Sequence, residues 1–372
     1  MKKNHTLIFK FILCINFLLV LNSCQVSRFI FYNFADIKDY KKFPSRSLKN
    51  DSVIFYFSKS KTEKIPEFVT TSNDKNIYFD DYLESNKTVA FLIIQNDTIK
   101  YEKYFNGYDK TSVTTSFSVA KSITSILIGC AIDDGYIIST GEPITNYIPE
   151  LKNKNLDNVT IKHLLQMTSG IKFNESYFNP ISDAAIFYYG RNLRKAISKM
   201  KMESEPGKKF EYKSGNAQLL GLILERSLKT KTITQYFQEK LWKPLGMEYE
   251  GSWSIDRKNN GLEKTFCCIN ARANDFAKIG RLYLNNGNWN GKQIVQESWV
   301  NESTKIDTTN GSKWYYQNQW WITNYKGNYM AQGFLGQFIY VCPSKKLIIV
   351  RMGKKDGKIE WWKFLNSIAD KY

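Results

Sequence analysis

Histidine is nearly missing: the 372 residues contain only His5 and His163. His5 sits in a stretch laid out like an export signal, so a histidine-rich zinc or non-haem iron site is excluded. A Ser-His-Asp or Cys-His hydrolase would have to be built on His163, and any other enzyme here uses a different base. Cysteine is scarce too. Beyond Cys14 in the leader there are Cys24, Cys130, Cys342 and the adjacent Cys267 and Cys268, with no metal-knuckle spacing and no disulfide framework. Glycine (21) and proline (8) are modest, which excludes collagen-like and low-complexity chains. No period of about 20 to 50 residues recurs, which argues against a solenoid or propeller. The apolar run Phe11–Leu21 falls short of the roughly 20 residues a membrane span needs.

Hydrophobic residues make up 42% and charged residues 24%, as in a soluble globular protein with a sizeable core, in one large domain or two intimately built ones. The net charge is +18, and because Lys2, Lys3 and Lys10 face no acid in the first 23 residues, the remainder carries +15. The lysines are spread along the chain. They read as a solvated basic surface, with attraction to anionic membranes or acidic envelope polymers as the functional alternative. No nucleic-acid motif is present.

Residues 1–24 read as a signal peptide: a basic start, a short apolar run, a small residue and a cysteine. Leu21-Asn22-Ser23-Cys24 resembles a bacterial lipobox, which implies lipidation of Cys24 and a periplasm-facing membrane lipoprotein of the cell envelope. Ordinary cleavage would give a secreted protein instead.

Residues 25–84 read as a tether with a first strand at Ser52–Phe57, and 85–372 as the main domain. Thr88–Phe105 holds two β-rich runs around Gln95-Asn96-Asp97-Thr98, a hairpin signal. From about 137 to 290 the pattern is helical, with segments at Ile161–Met167, Asp183–Met200, Asn216–Ser227, Ile233–Leu241 and Asp275–Asn285. Strand character returns at Tyr329–Tyr340 and Lys346–Met352, and an amphipathic helix, Glu360–Ala369, follows. Strands at both ends around a helical insertion predict an α/β (α+β) fold. An antiparallel sheet formed from both chain ends would be flanked by helices, with a cleft where the two parts meet.

Ser118-Val119-Ala120-Lys121 is a Ser-x-x-Lys pattern. Four further serines match it, at 58, 72, 169 and 198, but only Ser118 opens a long apolar helix, predicted over Ser118–Asp134. Residues three apart share a helix face, so the Lys121 amine can reach the Ser118 hydroxyl. Burial and the positive helix end both disfavour the charged amine, and a neutral lysine can take the serine proton. The helix N-terminus also offers N–H groups to a developing oxyanion. A lysine snorkelling out of a helix start is the bland alternative. A second element, Tyr212-Lys213-Ser214, places a phenol and a hydroxyl just before another apolar helix. A tyrosine flanked by lysines could ionise and shuttle protons, or be a surface aromatic.

Together these segments resemble the serine β-lactamase and penicillin-binding-protein-like superfamily, over about residues 85–355. The nearest branch is that of class C β-lactamases, esterases and 6-aminohexanoate-dimer hydrolases. Phe117–Ser122 resembles the nucleophile motif, Thr160–Gly170 the helix-and-turn signature, and Tyr212-Lys213-Ser214 the tyrosine motif. Pro244-Leu245-Gly246-Met247 and Gly333-Phe334-Leu335-Gly336-Gln337 follow in family order. The resemblance implies a β-lactamase/transpeptidase-like fold with Ser118 as nucleophile, Lys121 as its activator, Tyr212 as general acid and base, and Ser214 in support. It implies an oxyanion hole from the backbone N–H groups of Ser118 and Phe334, a substrate strand carrying Gln332, Gly333 and Gln337, and no metal or organic cofactor. His163 falls outside the catalytic motifs and reads as structural.

The chain departs from the pattern in two places. Where penicillin-recognising relatives carry Lys-Thr-Gly or His-x-Gly, this chain has Ala331-Gln332-Gly333, without the cation that meets a substrate carboxylate. Ser214 stands where class C lactamases have Asn. Both favour esterase or amide hydrolase chemistry in a serine hydrolase, whose partner is a small-molecule ester, amide or peptide substrate. The alternatives are a β-lactamase or D,D-peptidase on cell-wall-like substrates, or a non-catalytic envelope protein. The aromatic run Trp314–Trp321 either walls the cleft or packs beneath the sheet.

Overall fold

The structure, a computed structural model, describes residues 24–32, 34–62, 65–70, 76–152, 154–323, 327–357 and 359–372. The signal peptide expected over the leader, and with it the processing that would expose Cys24, lies outside the described residues.

The helices, in chain order, are α1 (Cys24–Tyr32), α2 (Phe79–Ser85), α3 (Val119–Asp133), α4 (Ile161–Leu165), α5 (Asp183–Tyr189), α6 (Leu193–Ile197), α7 (Ser214–Leu228), α8 (Ile233–Phe237), α9 (Ala273–Leu284), α10 (Glu297–Thr304) and α11 (Trp361–Ala369). The large sheet is made of β1 (Ser58–Lys59), β2 (Thr88–Gln95), β3 (Thr98–Tyr104), β4 (Tyr316–Gln317), β5 (Trp320–Ile322), β6 (Tyr329–Gly333), β7 (Gln337–Cys342) and β8 (Leu347–Gly353), in the spatial order β4-β5-β6-β7-β8-β2-β3-β1. Both chain ends therefore share one sheet: Ile349 of β8 pairs with Ile93 of β2. All pairs are antiparallel except the short edge strand β1, which runs parallel to β3.

Strand β2 is apolar on both sides because both faces of the sheet are covered. Ala90, Leu92 and Ile94 join the larger core with α3 and α9, while Phe91 and Ile93 face Phe79, Leu83, Trp361 and Leu365 of α2 and α11. Helix α9 lies close on the sheet because position 280 is glycine. A Cβ there would come within 2.9 Å of Ile339 and Ile348.

A second, four-stranded sheet joins Ser45–Leu48, Gly251–Ser254, Ile269–Ala271 and Thr114–Thr115 in that order. Thr114–Thr115 leads into α3, and Ile269 follows the two adjacent cysteines. This small sheet thus aims both segments at the same place.

Three local expectations are corrected. Ser52–Phe57 forms no strand. Its alternation comes from Phe55 and Phe57, whose rings meet at 5.1 Å, with Phe55 also 4.9 Å from the Trp289 ring. The segment after Cys24 is more than a tether, since α1 and a strand over Ser45–Leu48 are built into the fold. Asp183–Met200 is two helices, broken at 190–192, where the Asn192 side chain accepts from Lys195 N and starts α6 anew. No described helix is long and apolar enough to cross a membrane.

Candidate active site

The chain leaves Thr115, passes Ser116 and Phe117, and enters α3 with Ser118 at the N-cap. Phe117 has φ +43°, a region in which a bulky residue costs roughly 1–3 kcal/mol. Burial of its ring, at about 1.5–3 kcal/mol, offsets a cost of that size. The ring packs edge-on against Phe334 at 5.7 Å and beside Tyr188 at 6.5 Å. The turn is pinned further where Ser116 N donates to Ile269 O (2.8 Å) and Ile269 N to Ser116 Oγ (3.1 Å).

Lys121 is 1% exposed. Its Nζ donates to Ser118 Oγ at 2.7 Å and to Phe266 O at 3.1 Å. It also lies 4.9 Å from the centroid of the Tyr212 ring. No carboxylate pairs with it among the described residues. The i, i+3 spacing thus brings amine and hydroxyl into hydrogen-bond contact, and Tyr212, 91 positions along the chain, arrives beside them.

The Tyr212 ring is held between Tyr316 (5.8 Å, perpendicular) and Trp321 (5.6 Å). That divides the aromatic run into two tasks. Tyr316 and Trp321 brace the phenol, while Trp320 is fully buried and stacks on Tyr283 at 4.2 Å. The lysine next to the tyrosine does not serve it: Lys213 Nζ pairs with Glu203 (3.0 Å) and Glu211 (2.7 Å) and donates to Ile171 O. The amine at the phenol ring is that of Lys121 instead.

Ser214 opens α7. Its Oγ and N donate to the two carboxylate oxygens of Glu175 at 2.5 and 2.6 Å, and Tyr177 OH donates to the same carboxylate at 2.5 Å. No local spacing signals Glu175, whose partner Ser214 lies 39 positions away. The helix-and-turn signature carries this frame: Ser169 Oγ donates to Asn216 Oδ1 (2.7 Å), and Gln319 Nε2 donates to Leu164 O and Leu165 O. His163 belongs to the cap of α4. Thr160 N donates to His163 Nδ1 and His163 N to Thr160 Oγ1, and burial lowers the pKa of the ring below its ordinary value.

Strand β6 closes the other side. Gly333 is required there, because a Cβ would meet Ser116 O at 2.4 Å and Ser118 N at 3.2 Å. Phe334 follows at the pocket wall. Gln332 is half-buried on β6. Gln337, expected on the same substrate strand as Gln332 and Gly333, opens the next strand, β7, and is fully buried. Its amide donates to Gly353 O (2.7 Å) and Phe334 O (3.2 Å) and accepts from Gly353 N, so it ties the β6–β7 turn to β8.

Cys267 and Cys268 are joined to each other, a pairing that the absence of a disulfide framework did not anticipate. Such a bond between neighbours is purely local and closes no long loop. Cys267 lines the cavity at Ser118, and Phe266 just before it supplies the carbonyl that holds Lys121.

That cavity encloses about 60 Å³ beside Ser118, walled by Phe34, Phe117, Tyr177, Phe178 and Phe334. No charged side chain lines it among the described residues. Its lining suits an uncharged acyl group, and the side chains of Ser118 and Ser214 both stand at its wall.

A family model described as Beta-lactamase matches residues 78–363. The 6-aminohexanoate-dimer hydrolase of Paenarthrobacter ureafaciens is 26% identical over 308 residues, covering 77% of each chain. Among solved structures, a candidate 6-aminohexanoate-dimer hydrolase from Bacillus anthracis superposes with a TM-score of 0.79 at 25% identity, over 90% of this chain and 91% of that one. A family VIII carboxylesterase shares the fold at a TM-score of 0.62 and 14% identity, over 79% of this chain and 95% of that one.

Proposed function

The chain belongs to the beta-lactamase family, and from that premise we propose that this hydrolase is an exported serine esterase or amidase working through an acyl-enzyme on Ser118. The observation that carries the reading is the 2.7 Å contact from Lys121 Nζ to Ser118 Oγ, with the Tyr212 ring 4.9 Å from the amine. In its free-amine form Lys121 takes the hydroxyl proton as Ser118 attacks the carbonyl. Tyr212, alongside, relays that proton to the leaving alcohol or amine. The backbone N–H groups of Ser118 and Phe334 receive the oxyanion, and water then releases the acid. Glu175 and Ser214 position the loop that carries the phenol.

Ester or amide chemistry is favoured over β-lactam or peptide cleavage because the pocket is apolar and no cation stands at Ala331-Gln332-Gly333. The relatives named for 6-aminohexanoate-dimer hydrolysis are consistent with a linear amide. The lipobox-like leader supports a periplasm-facing membrane lipoprotein anchored through Cys24, with secretion as the alternative if Cys24 is not lipidated.

The test is covalent labelling with a fluorophosphonate, with the adduct located by mass spectrometry, beside assays of p-nitrophenyl esters, linear amides and a chromogenic cephalosporin. The expected outcome is an adduct on Ser118 and loss of ester or amide turnover in Ser118→Ala. Full turnover by Ser118→Ala overturns the nucleophile assignment, and fast cephalosporin cleavage without ester or amide cleavage overturns the substrate class.

A further inference from the structure

Hydrolysis at Ser118 leaves unexplained what surrounds the mouth of its pocket. Ile30, Phe31, Phe34, Phe178 and Ile181 are all exposed, Phe31 at 83%, Phe178 at 71% and Ile181 at 72%. Phe34 and Phe178 are also pocket walls, and their rings meet at 5.9 Å, joining the segment after α1 to the loop before α5. Ile30, Phe31 and Ile181 lie within four residues of one or the other wall along the chain, and soluble monomers seldom expose so many large apolar side chains on neighbouring segments. Packing of α1 sets the direction of part of the cluster. Val26 and Phe29 of α1 point inward, Phe29 meeting Tyr189 at 5.1 Å, so that Ile30 and Phe31 are turned outward.

Charge lies next to it. Tyr189 of α5 lines both the pocket at Ser118 and a neighbouring cavity of about 460 Å³. Lys172, Arg191, Lys195, Lys199 and Lys201 edge that second cavity against one carboxylate, Asp183. All five cations are exposed, and none forms an ion pair among the described residues. Helix α1, which carries Ile30 and Phe31, begins at Cys24, the cysteine of the lipobox-like pattern.

We infer that this face docks on an anionic lipid surface, and that the pocket draws its acyl ester or amide from within that surface. Exposed aromatic and aliphatic side chains beside a cluster of cations are the chemistry that binds a charged bilayer, the first entering the acyl boundary and the second meeting headgroups. A second copy of this chain fits less well, because a two-fold contact would bring the five cations of one copy against those of the other. Docking rests on the surface alone. The statement about substrate also rests on Ser118 being the nucleophile.

The test uses the full chain with vesicles of phosphatidylcholine alone and of phosphatidylcholine with phosphatidylglycerol in equal parts. Backbone hydrogen exchange at 29–32 and 177–182 slows about fivefold or more with the anionic vesicles and not with the neutral ones. The same protection is expected in Ser118→Ala, so a failed nucleophile assignment leaves the docking result standing. A long-chain p-nitrophenyl ester embedded in anionic vesicles is hydrolysed about tenfold more slowly by the double variant Phe31→Ser, Ile181→Ser and by Lys195→Glu, Lys199→Glu. A short water-soluble ester is hydrolysed at the wild-type rate by both, which reports an intact fold. Unchanged exchange with anionic vesicles overturns docking. Protection that grows with protein concentration without lipid, or that soluble polyglutamate reproduces, overturns the lipid surface as occupant. Undiminished hydrolysis of the embedded ester by both variants overturns the route of substrate entry.

Discussion

Two buried lysines in this molecule invite comparison. Lys121 and Lys264 are each 1% exposed, each donates to backbone carbonyls, and each lies over aromatic rings. Lys264 meets Phe187 O at 3.2 Å and Tyr188 O, with the Phe43 ring 4.4 Å away, and burial pushes its pKa down to about 7. A perturbed buried amine is therefore not what makes a catalytic site here. Lys121 differs in what it touches: a hydroxyl at 2.7 Å at the edge of a cavity, with a phenol alongside. Lys264 is enclosed by carbonyls and rings and has no proton to move to a substrate.

The widest separation of the two comes from replacing each with methionine. Lys121→Met is expected to lower kcat/KM for a p-nitrophenyl ester about 10³-fold or more, because the serine loses its base. Lys264→Met is expected to leave the same constant within about twofold, since that amine bonds to the carbonyls of Phe187 and Tyr188 and not to Ser118 or Tyr212. Equal losses in the two variants would erase the distinction.

Tyr212→Phe keeps the ring packed against Tyr316 and Trp321 and removes only the hydroxyl. A drop in kcat of about 10²- to 10³-fold is expected, greater for amides than for activated esters, whose leaving groups need no proton. Similar losses on both substrate types would assign Tyr212 to packing rather than proton transfer.

Glu175→Gln is a smaller perturbation. Losing the charge that receives Ser214 Oγ, Ser214 N and Tyr177 OH is expected to lower kcat about tenfold with KM little changed, and Glu175→Asp to recover part of it. A rise in KM alone, without rescue by aspartate, would make Glu175 a substrate contact instead.

The smallest effect is on stability. The folded-state pKa of Lys264 lies below that of the unfolded chain, so between pH 7 and about 10 the unfolded state binds more protons and this residue's contribution makes stability rise with pH. The slope is on the order of 1 kcal/mol per pH unit. Below pH 7 the amine is charged in both states and the slope vanishes. Lys264→Met should therefore exceed the wild type in Tm near pH 7, with the difference shrinking towards pH 10. A constant difference across that range would mean that Lys264 titrates alike in both states.

Legibility followed distance along the chain. The helix of Ser118, the hairpin of β2 and β3 and the terminal strands were readable because apolar periodicity and turn residues act within a dozen positions. Ser52–Phe57 misled for the same reason: alternation reports side-chain burial, and Phe57 is buried and Phe55 half-buried without forming a strand. The role given to Lys213 failed on side-chain direction, since adjacency in sequence does not put two groups on the same side of a loop. Gln337 opens β7 rather than sharing β6 with Gln332 and Gly333, and its amide is turned to Gly353.

Within the amino-acid order itself lay one contact, serine to lysine across a single helical turn, because three residues of α-helix always bring i and i+3 to one face. The fold alone decided what that pair would meet. Glu175 reaches Ser214, Tyr316 braces Tyr212, and Phe34 joins Phe178 at the pocket mouth only because separate layers pack together. Contacts of that kind depend on where whole elements come to rest, which no local spacing encodes.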